Sequence, residues 1–480
     1  MRAAAPHIDP ALTERDVVSF AIDSRDVNAG DVFFALSQPD YSNNCFNGDF
    51  DDATIFAAPA LEKGAAAAVV RRDRFEMHRS ALAPFEDRLI FVADAIKALQ
   101  DLAHRVYLDW NKPVVAVTGS AGKTTAKELT AHVLAASGCR VLRNIKNYNN
   151  GLGHPLTVLN LAKDPGYDIA VLEMGMSTPM NEIARLCRIT PPDVAVELNV
   201  LPVHLEHLGS IENIAKAKAE LVDGMKPGGT AVLNADDPFV LEMREQSKGR
   251  TVTYAIDANA DIRASDIRFE SFGSTKFTLT TPNGNAYVAF PLNGRHNISN
   301  ALAAAAVGHI FDMDANEIAS ALGTTAAPAQ RGEIVGFAKG FTVINDSYNS
   351  NPAALLSMVR TLVEGAGAGR KIVVAGEMLE LGPEAASIHH EIGGKLAELG
   401  IDLLVGVRGF GRQLVDGARA GGLANTEFAE DSDKAGEWLA TEVKPGDVVL
   451  IKGSRGVRTE KVLDKLFEKF EGEKSEAVER

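Results

Sequence analysis

The sequence predicts an α/β protein of three domains, and three observations carry the prediction. An apolar run, Val114–Val117, is followed at once by a glycine-bearing turn and a Lys-Thr-Thr helix start. Beyond residue 332, strand-like and helix-like stretches alternate with regularity. At 480 residues the chain exceeds what one core fills, and a prior of about 150 residues per domain gives three. The boundaries fall at 1–108 for a small α/β N-terminal domain, 109–326 for a central domain and 327–480 for a C-terminal domain.

Composition narrows the function. Apolar residues make up 46% of the chain and charged residues 24%, the balance of an ordinary water-soluble globular protein. A net charge of −15 with no compensating basic run argues against a general binder of nucleic acid or of membrane surfaces. A polyanionic ligand must then be met by local cations and metal ions. The three cysteines, Cys45, Cys139 and Cys187, have neither disulfide-framework nor zinc-site spacing, which fits a reducing cytoplasm. Pro6, His7 and Asp9 break the N-terminus before an apolar core can form, so no signal peptide is expected. The longest weakly polar run, Ala301–Phe311, is too short to cross a bilayer, so no membrane insertion is expected.

In the N-terminal domain, Val17–Ile22 and Val32–Leu36 read as strands around a Gly30-Asp31 turn. Asp23-Ser24-Arg25 at the first strand's end suits two roles, contact with a ligand's phosphate or ribose and a solvated turn. Residues 38–52, rich in Asn, Asp and Gly, read as a long loop.

The central domain opens on the most informative stretch. Val114–Val117 predicts a buried strand, Gly119 and Gly122 a tight turn, and Lys123-Thr124-Thr125 the start of a helix. Such a turn cradles phosphate: glycines let backbone N–H groups face phosphate oxygens, and the helix N-terminus adds its positive dipole end. Lys123 supplies a point charge and Thr124 a hydroxyl for Mg²⁺. The usual pattern wants a glycine five residues before Gly122, where Val117 stands, so Thr118-Gly119-Ser120-Ala121-Gly122-Lys123-Thr124 is a shortened cradle. The central domain therefore reads as a P-loop, ATPase-like α/β domain with a parallel sheet that binds a nucleoside triphosphate.

A short strand at Arg140–Leu142 leads into the Asn-rich segment Asn144–Gly151, either an irregular connection or one wall of a ligand crevice. Tyr167–Glu173 is an apolar strand ending in a carboxylate, where a metal's second protein ligand sits in phosphate-binding α/β domains, or where a glutamate is merely exposed. After the strand Asp193–Val200 come His204 and His207, a weak sign of a transition-metal site on their own. The next helix carries Lys216 and Lys218, which on most such helices are solvated. Thr230–Leu233 is a further strand. Ile262–Leu292 changes to period two around Asn283-Gly284 and reads as a small antiparallel insert. Asn293–Asn300 presents Arg295 and His296 at the start of an Ala-rich helix, suited to phosphate or base contact.

After the linker-like Ala326–Gly332, the C-terminal alternation runs through strands at Phe341–Asn345, Lys371–Ala375, Asp402–Val407 and Asp447–Ile451. With intervening helices this is a doubly wound, Rossmann-like sheet, but no Gly-x-Gly-x-x-Gly follows its first strand, so a dinucleotide is not supported. Its strand ends carry Asp346-Ser-Tyr-Asn349, Glu377 and Lys452-Gly-Ser-Arg455, and the charged tail from Glu471 is expected to fray.

Taken together these stretches resemble the Mur ligase family, ATP-dependent amide-forming enzymes of peptidoglycan precursor assembly, over nearly the whole chain. The resemblance rests on the cradle, Asp23-Ser24-Arg25, Asn147–Asn150, Glu173-Met-Gly175, Gly294–Asn297, Asn345–Pro352, Glu377–Gly382 and Lys452–Arg455. The Asp-Ser-Tyr-Asn stretch resembles the branch that joins D-alanyl-D-alanine to a UDP-N-acetylmuramoyl-tripeptide, rather than the diamino-acid-adding branch. The resemblance implies ATP with two Mg²⁺ ions, one held by Thr124 and Glu173 and the second near His204. It places Lys218 where some relatives carry a carbamylated lysine, and it makes Lys123, His204 and Lys218 the catalytic set. Asn300, Asn345, Asp346 and Asn349 would serve the nucleotide beside the cradle; Ser24, Arg25, Asn149, Asn150, Lys452 and Arg455 would serve the two substrates. A monomer is expected. One departure stands out: the segment Tyr41–Ile55 lacks the Gly-His pair that relatives carry before a Phe. The competing readings are another amide ligase of the family, diamino-acid-adding or folylpolyglutamate-type, and a nucleotide switch that ligates nothing.

Overall fold

Apolar runs of four or five residues form the strands of a computed structural model that describes residues 16–46, 48–145, 147–176, 181–202 and 208–474. By its internal contacts the chain divides into two compact units. The first comprises the chain up to Thr118 with Cys139–Ala195 and Ala219–Thr230; the second comprises Gly119–Gly138, Val196–Lys218 and everything from Ala231.

In the first unit a four-stranded parallel sheet runs in the order Phe20–Ala21, Val32–Phe34, Ala67–Arg71, Leu89–Val92. Phe33, Leu61, Phe75, Leu82 and Phe91 fill its core. The first strand is shorter than the periodicity suggests, because Val17 and Val18 stand exposed before it. The expected loop at 38–52 is corrected: it begins with the helix Gln38–Asn43. Ser37 caps that helix, Pro39 suits its first turn, and the buried Asp40 accepts from Ser37 N (2.8 Å), Ser37 Oγ (2.6 Å) and Ala95 N (2.9 Å). One carboxylate thus overrides the loop-like composition. The strands Val114–Thr118, Ile169–Glu173 and Val141–Arg143 lie parallel and adjacent.

In the second unit the helix Lys123–Ala136 packs against Arg295–Ile310, whose Ala-rich face permits close approach. The expected antiparallel insert is real but not separate. Ile262–Ser271, Ser274–Thr281 and Gly284–Phe290 pair antiparallel, and the first of them continues from Arg250–Ala255 in parallel. Within this unit the strand order is Gly284–Phe290, Ser274–Thr281, Ile262–Ser271, Arg250–Ala255.

The C-terminal sheet has seven strands in the order Thr426–Ala429, Leu403–Val407, Lys371–Gly376, Val448–Lys452, Thr342–Asp346, Glu333–Phe337, Gly472–Lys474. The first five are parallel. Their residues are apolar on both faces, as a sheet with two helical layers requires. Val373, Leu404 and Leu450 pack under the helices Pro352–Gly365, Ala385–Glu398 and Gly411–Ala420, while the adjacent Val374, Val405 and Val449 face Ser432–Glu442 and Glu460–Lys469. The doubly wound reading holds. The tail is corrected at Gly472–Lys474, which pairs antiparallel with Val335–Phe337 and so covers an edge whose backbone groups need partners; the rest of the tail lies outside the described residues.

His154, on the short helix Gly153–Val158, is fully buried, with Nε2 2.7 Å from Thr190 Oγ1 and Nδ1 without a hydrogen-bond partner. Burial lowers its pKa to about 3 from 6.5, so the folded state keeps it neutral where the unfolded chain would take up a proton. Its contribution to stability is therefore full above pH 6.5 and is lost as pH falls from 6.5 toward 3, at about 1.4 kcal/mol per pH unit. Urea melts across this range should show that slope, and His154→Gln should remove one proton's worth of it; an unchanged slope in the variant would refute the assignment.

Candidate active site

The predicted strand, glycine turn and helix start are where the sequence placed them. The fully buried strand Val114–Thr118 ends in a turn whose Gly119 and Gly122 have φ of +154° and +85°, and Gly122 caps the helix Lys123–Ala136. Both glycines are also required sterically: a Cβ on Gly119 would sit 2.8 Å from Leu198 Cβ, and one on Gly122 2.5 Å from Asn300 Oδ1. Asn300, buried on the helix Arg295–Ile310, thus abuts the turn itself. The amides of Ser120 and Ala121 do not face a ligand. They donate to Asn199 O (2.9 Å) and Asn199 Oδ1 (2.8 Å), while Asn199 Nδ2 donates to Ala121 O (3.1 Å). The first helical bond runs from Ala126 N to Gly122 O, so the helix mouth lies at 123–125, where the helix dipole favours an anion. Lys123 Nζ donates to Gly119 O (2.8 Å), arching over the turn.

Glu173 ends its strand 3% exposed, which removes the exposed-glutamate alternative. Asn149 Nδ2 donates to Glu173 Oε1 (2.7 Å), and Asn144 brackets the Glu173 backbone with two 2.9 Å bonds. Asn150 Oδ1 accepts from Leu152 N and Gly153 N, opening the next helix. The Asn-rich segment is therefore an ordered support for Glu173. Asn149 orients the carboxylate, and carboxylate oxygens are the hard donors that Mg²⁺ takes.

Lys218 is buried, which corrects the expectation of a solvated helix lysine. Its pKa is pushed down to about 7, first by burial and then by the charge of Lys123, with Glu197 opposing. Glu197 ends the strand Val194–Glu197, wholly buried, and neither of its carboxylate oxygens has a hydrogen-bond partner. Burial raises its pKa well above the usual carboxylate range. Sequence reasoning missed Glu197; the signal was a carboxylate inside the apolar run Val194-Ala-Val-Glu. His204 lies outside the described residues, and among those described no three His, Cys, Asp or Glu side chains cluster as a metal site.

In the C-terminal sheet the polar groups named in the sequence meet at adjacent strand ends. Lys452 Nζ donates to Asp346 Oδ2 and to Asn349 O (2.9 Å). Asn345 Nδ2 donates to Glu333 Oε2 (2.8 Å), tying its strand to the neighbouring Glu333–Phe337. Arg455 lies 5.5 Å from the Tyr348 ring and donates to Gln330 Oε1 and Glu460 Oε1 at 3.3 Å. Arg295 and His296 are in the first helical turn, not a loop: Arg295 pairs with Asp257, and His296 Nδ1 is 3.2 Å from Ser357 Oγ. In the N-terminal sheet, Arg25 pairs with Asp23 at 2.5 Å yet stays 87% exposed, and Ser24 O accepts from Lys63 Nζ (3.2 Å). The guanidinium holds the Asp23 carboxyl down at about 2. No helix among the described residues is long and apolar enough to cross a membrane.

Known proteins share this arrangement. Residues 117–308 match the Mur ligase middle domain, and residues 330–455 match the Mur ligase, glutamate ligase domain. The UDP-N-acetylmuramoyl-tripeptide–D-alanyl-D-alanine ligase of Bacillus subtilis is 31% identical over 96% of this chain and 95% of its own. The ligase of that name from Escherichia coli is 34% identical over 93% of each. The crystal structure of MurF ligase from Thermotoga maritima in complex with ADP superposes with a TM-score of 0.79 at 29% identity, over 94% of this chain and 97% of that one. The shared domains, the extent of the identity and the common fold make this chain a member of the Mur ligase family.

Proposed function

We propose that the protein joins D-alanyl-D-alanine to the free carboxyl end of UDP-N-acetylmuramoyl-tripeptide in peptidoglycan precursor synthesis, releasing ADP and phosphate. One observation carries this reading: the likeness to dipeptide-adding ligases runs through 93–96% of the chain rather than through the cradle alone. Its domains would be 1–108 for the UDP-linked substrate, 109–326 for ATP and 327–480 for ligation, in a cytoplasmic monomer.

The chemistry starts from a poor electrophile. A carboxylate repels an amine, and its leaving group would be oxide. Phosphorylation of the peptide carboxylate by the γ-phosphoryl group of ATP gives an acyl phosphate, which the dipeptide amine attacks to expel phosphate through a tetrahedral intermediate. The first step brings two anions together. The helix mouth at 123–125 and Lys123 supply positive potential for the phosphates, and Asn300 holds the turn in shape. Glu173 and the Thr124 hydroxyl are the residues that would hold one Mg²⁺, with His204 and Lys218 for a second. The ions would supply charge neutralisation and orientation. A lysine whose pKa is about 7 is largely neutral just above that pH, the form that takes up CO₂, which supports a carbamate on Lys218. Asn345, Asp346 and Asn349 are assigned to the nucleotide, Ser24, Arg25, Asn149 and Asn150 to the UDP-linked substrate, and Lys452 and Arg455 to the reacting ends.

Phosphate release should require ATP, the UDP-linked tripeptide and the dipeptide together; release indifferent to the last two would sink the ligase reading in favour of a nucleotide switch. Lys123→Ala should cut turnover by about a hundredfold or more with an unchanged circular dichroism spectrum, since it removes a charge aimed at the transferring group. Asn149→Ala should release Glu173 and raise the Mg²⁺ concentration for half-maximal activity about tenfold or more, as loss of a metal ligand's support does. An unshifted Mg²⁺ titration would remove Asn149 from that role.

A further inference from the structure

The stretch Glu377–Gly382 is prominent in the sequence and has no part in the scheme above. It leaves the carboxyl end of Lys371–Gly376, next to Val448–Lys452 in the sheet. The helix that follows the first strand, Ala385–Glu398, packs on one face, and the helix that follows the second, Glu460–Lys469, packs on the other. Strand ends whose connections diverge in this way open a crevice, the position at which doubly wound sheets bind ligands.

A cavity of about 240 Å³ opens on the stretch, with Glu377, Leu379, Leu381, Pro383 and Phe410 in its wall. The wall is held from several directions. Met378 N donates to His389 Nε2 (2.9 Å); His389 Nδ1 lies 2.6 Å from Ala385 O, so the ring is neutral with its proton on Nδ1. Leu379 N donates to Ser454 Oγ (3.0 Å) and Ser454 N to Glu377 O (3.4 Å), which ties the cavity to the Lys452–Arg455 stretch. The Glu377 carboxylate is 12% exposed, accepts from Phe410 N (3.3 Å) and stands 3.9 Å from Arg408 Nε. It lies against Gly409, where a Cβ would collide with it.

The wall carries two carboxylates, Glu377 and the exposed Glu380, among apolar side chains, so it repels phosphates and suits a compact cation with short alkyl groups. Beyond the next strand end stands Arg455, 60% exposed, so the two strand ends carry opposite charges. A zwitterion matches that pattern. We propose that Glu377 holds the ammonium end of the incoming dipeptide, with Leu381, Pro383 and Phe410 receiving its methyl groups, an assignment that rests on the ligase reading above.

Steady-state kinetics on the full chain test it. Glu377→Gln should raise the KM for D-alanyl-D-alanine about tenfold to a hundredfold, the loss of one charge-assisted hydrogen bond, and leave the KM values for ATP and the UDP-linked tripeptide within about twofold. Glu377→Asp should recover part of the loss. Propionyl-D-alanine, which lacks the ammonium, should inhibit wild type and Glu377→Gln equally, a result that a structural role for Glu377 would not produce. An unchanged dipeptide KM, or equal shifts in all three KM values, would overturn the assignment and leave the ligase reading intact. A wild-type enzyme that does not consume the dipeptide would overturn both.

Discussion

Two carboxamides hold the glycine turn in its shape. Asn199 takes up the amides of Ser120 and Ala121 and returns a bond to Ala121 O, while Asn300 presses on Gly122 so closely that no side chain fits there. A turn with two positive-φ glycines three residues apart loses much entropy on ordering and is kept in one conformation only by surrounding contacts. The turn is shortened by comparison with the usual phosphate-binding pattern, and its inner amides find partners outside the turn. The helix mouth at 123–125 follows directly, with Lys123 bonded to Gly119 O across the turn.

Electrostatics follow from the same constraint. A chain with net charge −15 that handles anionic reactants must concentrate its cations where they count. Lys218 and Glu197 are both withdrawn from water, and each is pushed by burial toward its neutral form while attraction between them opposes the shift. Glu173 is treated differently. One oxygen of its carboxylate accepts from the Asn149 amide, which orients the group.

The C-terminal sheet shows how a two-sided core positions polar groups. Consecutive residues such as Val373 and Val374 serve opposite helical layers, which keeps the interior of Lys371–Gly376, Leu403–Val407 and Val448–Lys452 apolar and leaves the polar chemistry to the strand ends. There Lys452 bridges Asp346 and Asn349, and Ser454 fixes the Glu377–Leu379 backbone. Gly472–Lys474 closes the far edge, so the last residues described stabilise the sheet that carries these groups.

Much of the fold was legible because its signals are local. Val114–Thr118, the helix start at Lys123, the strand ending at Glu173 and the alternation after 332 follow from apolar runs, glycine placement and periodicity, all of which act within a few residues. The helix at Gln38–Asn43 and the edge strand Gly472–Lys474 were not legible, because one depends on a buried Asp40 that bonds Ala95 and the other on pairing with Val335–Phe337. At the site, residue types in a recognisable order were enough to nominate Lys123, Glu173 and Lys218. Only the tertiary structure decided which partners they have: Asn149 for Glu173, Glu197 in the field of Lys218, Asn199 and Asn300 for the turn. The sequence by itself thus determined the elements and the chemical inventory, since propensity and patterning are properties of neighbouring residues. The structure decided burial and pairing, because these arise between groups tens to hundreds of residues apart that meet only when the sheets and helices pack.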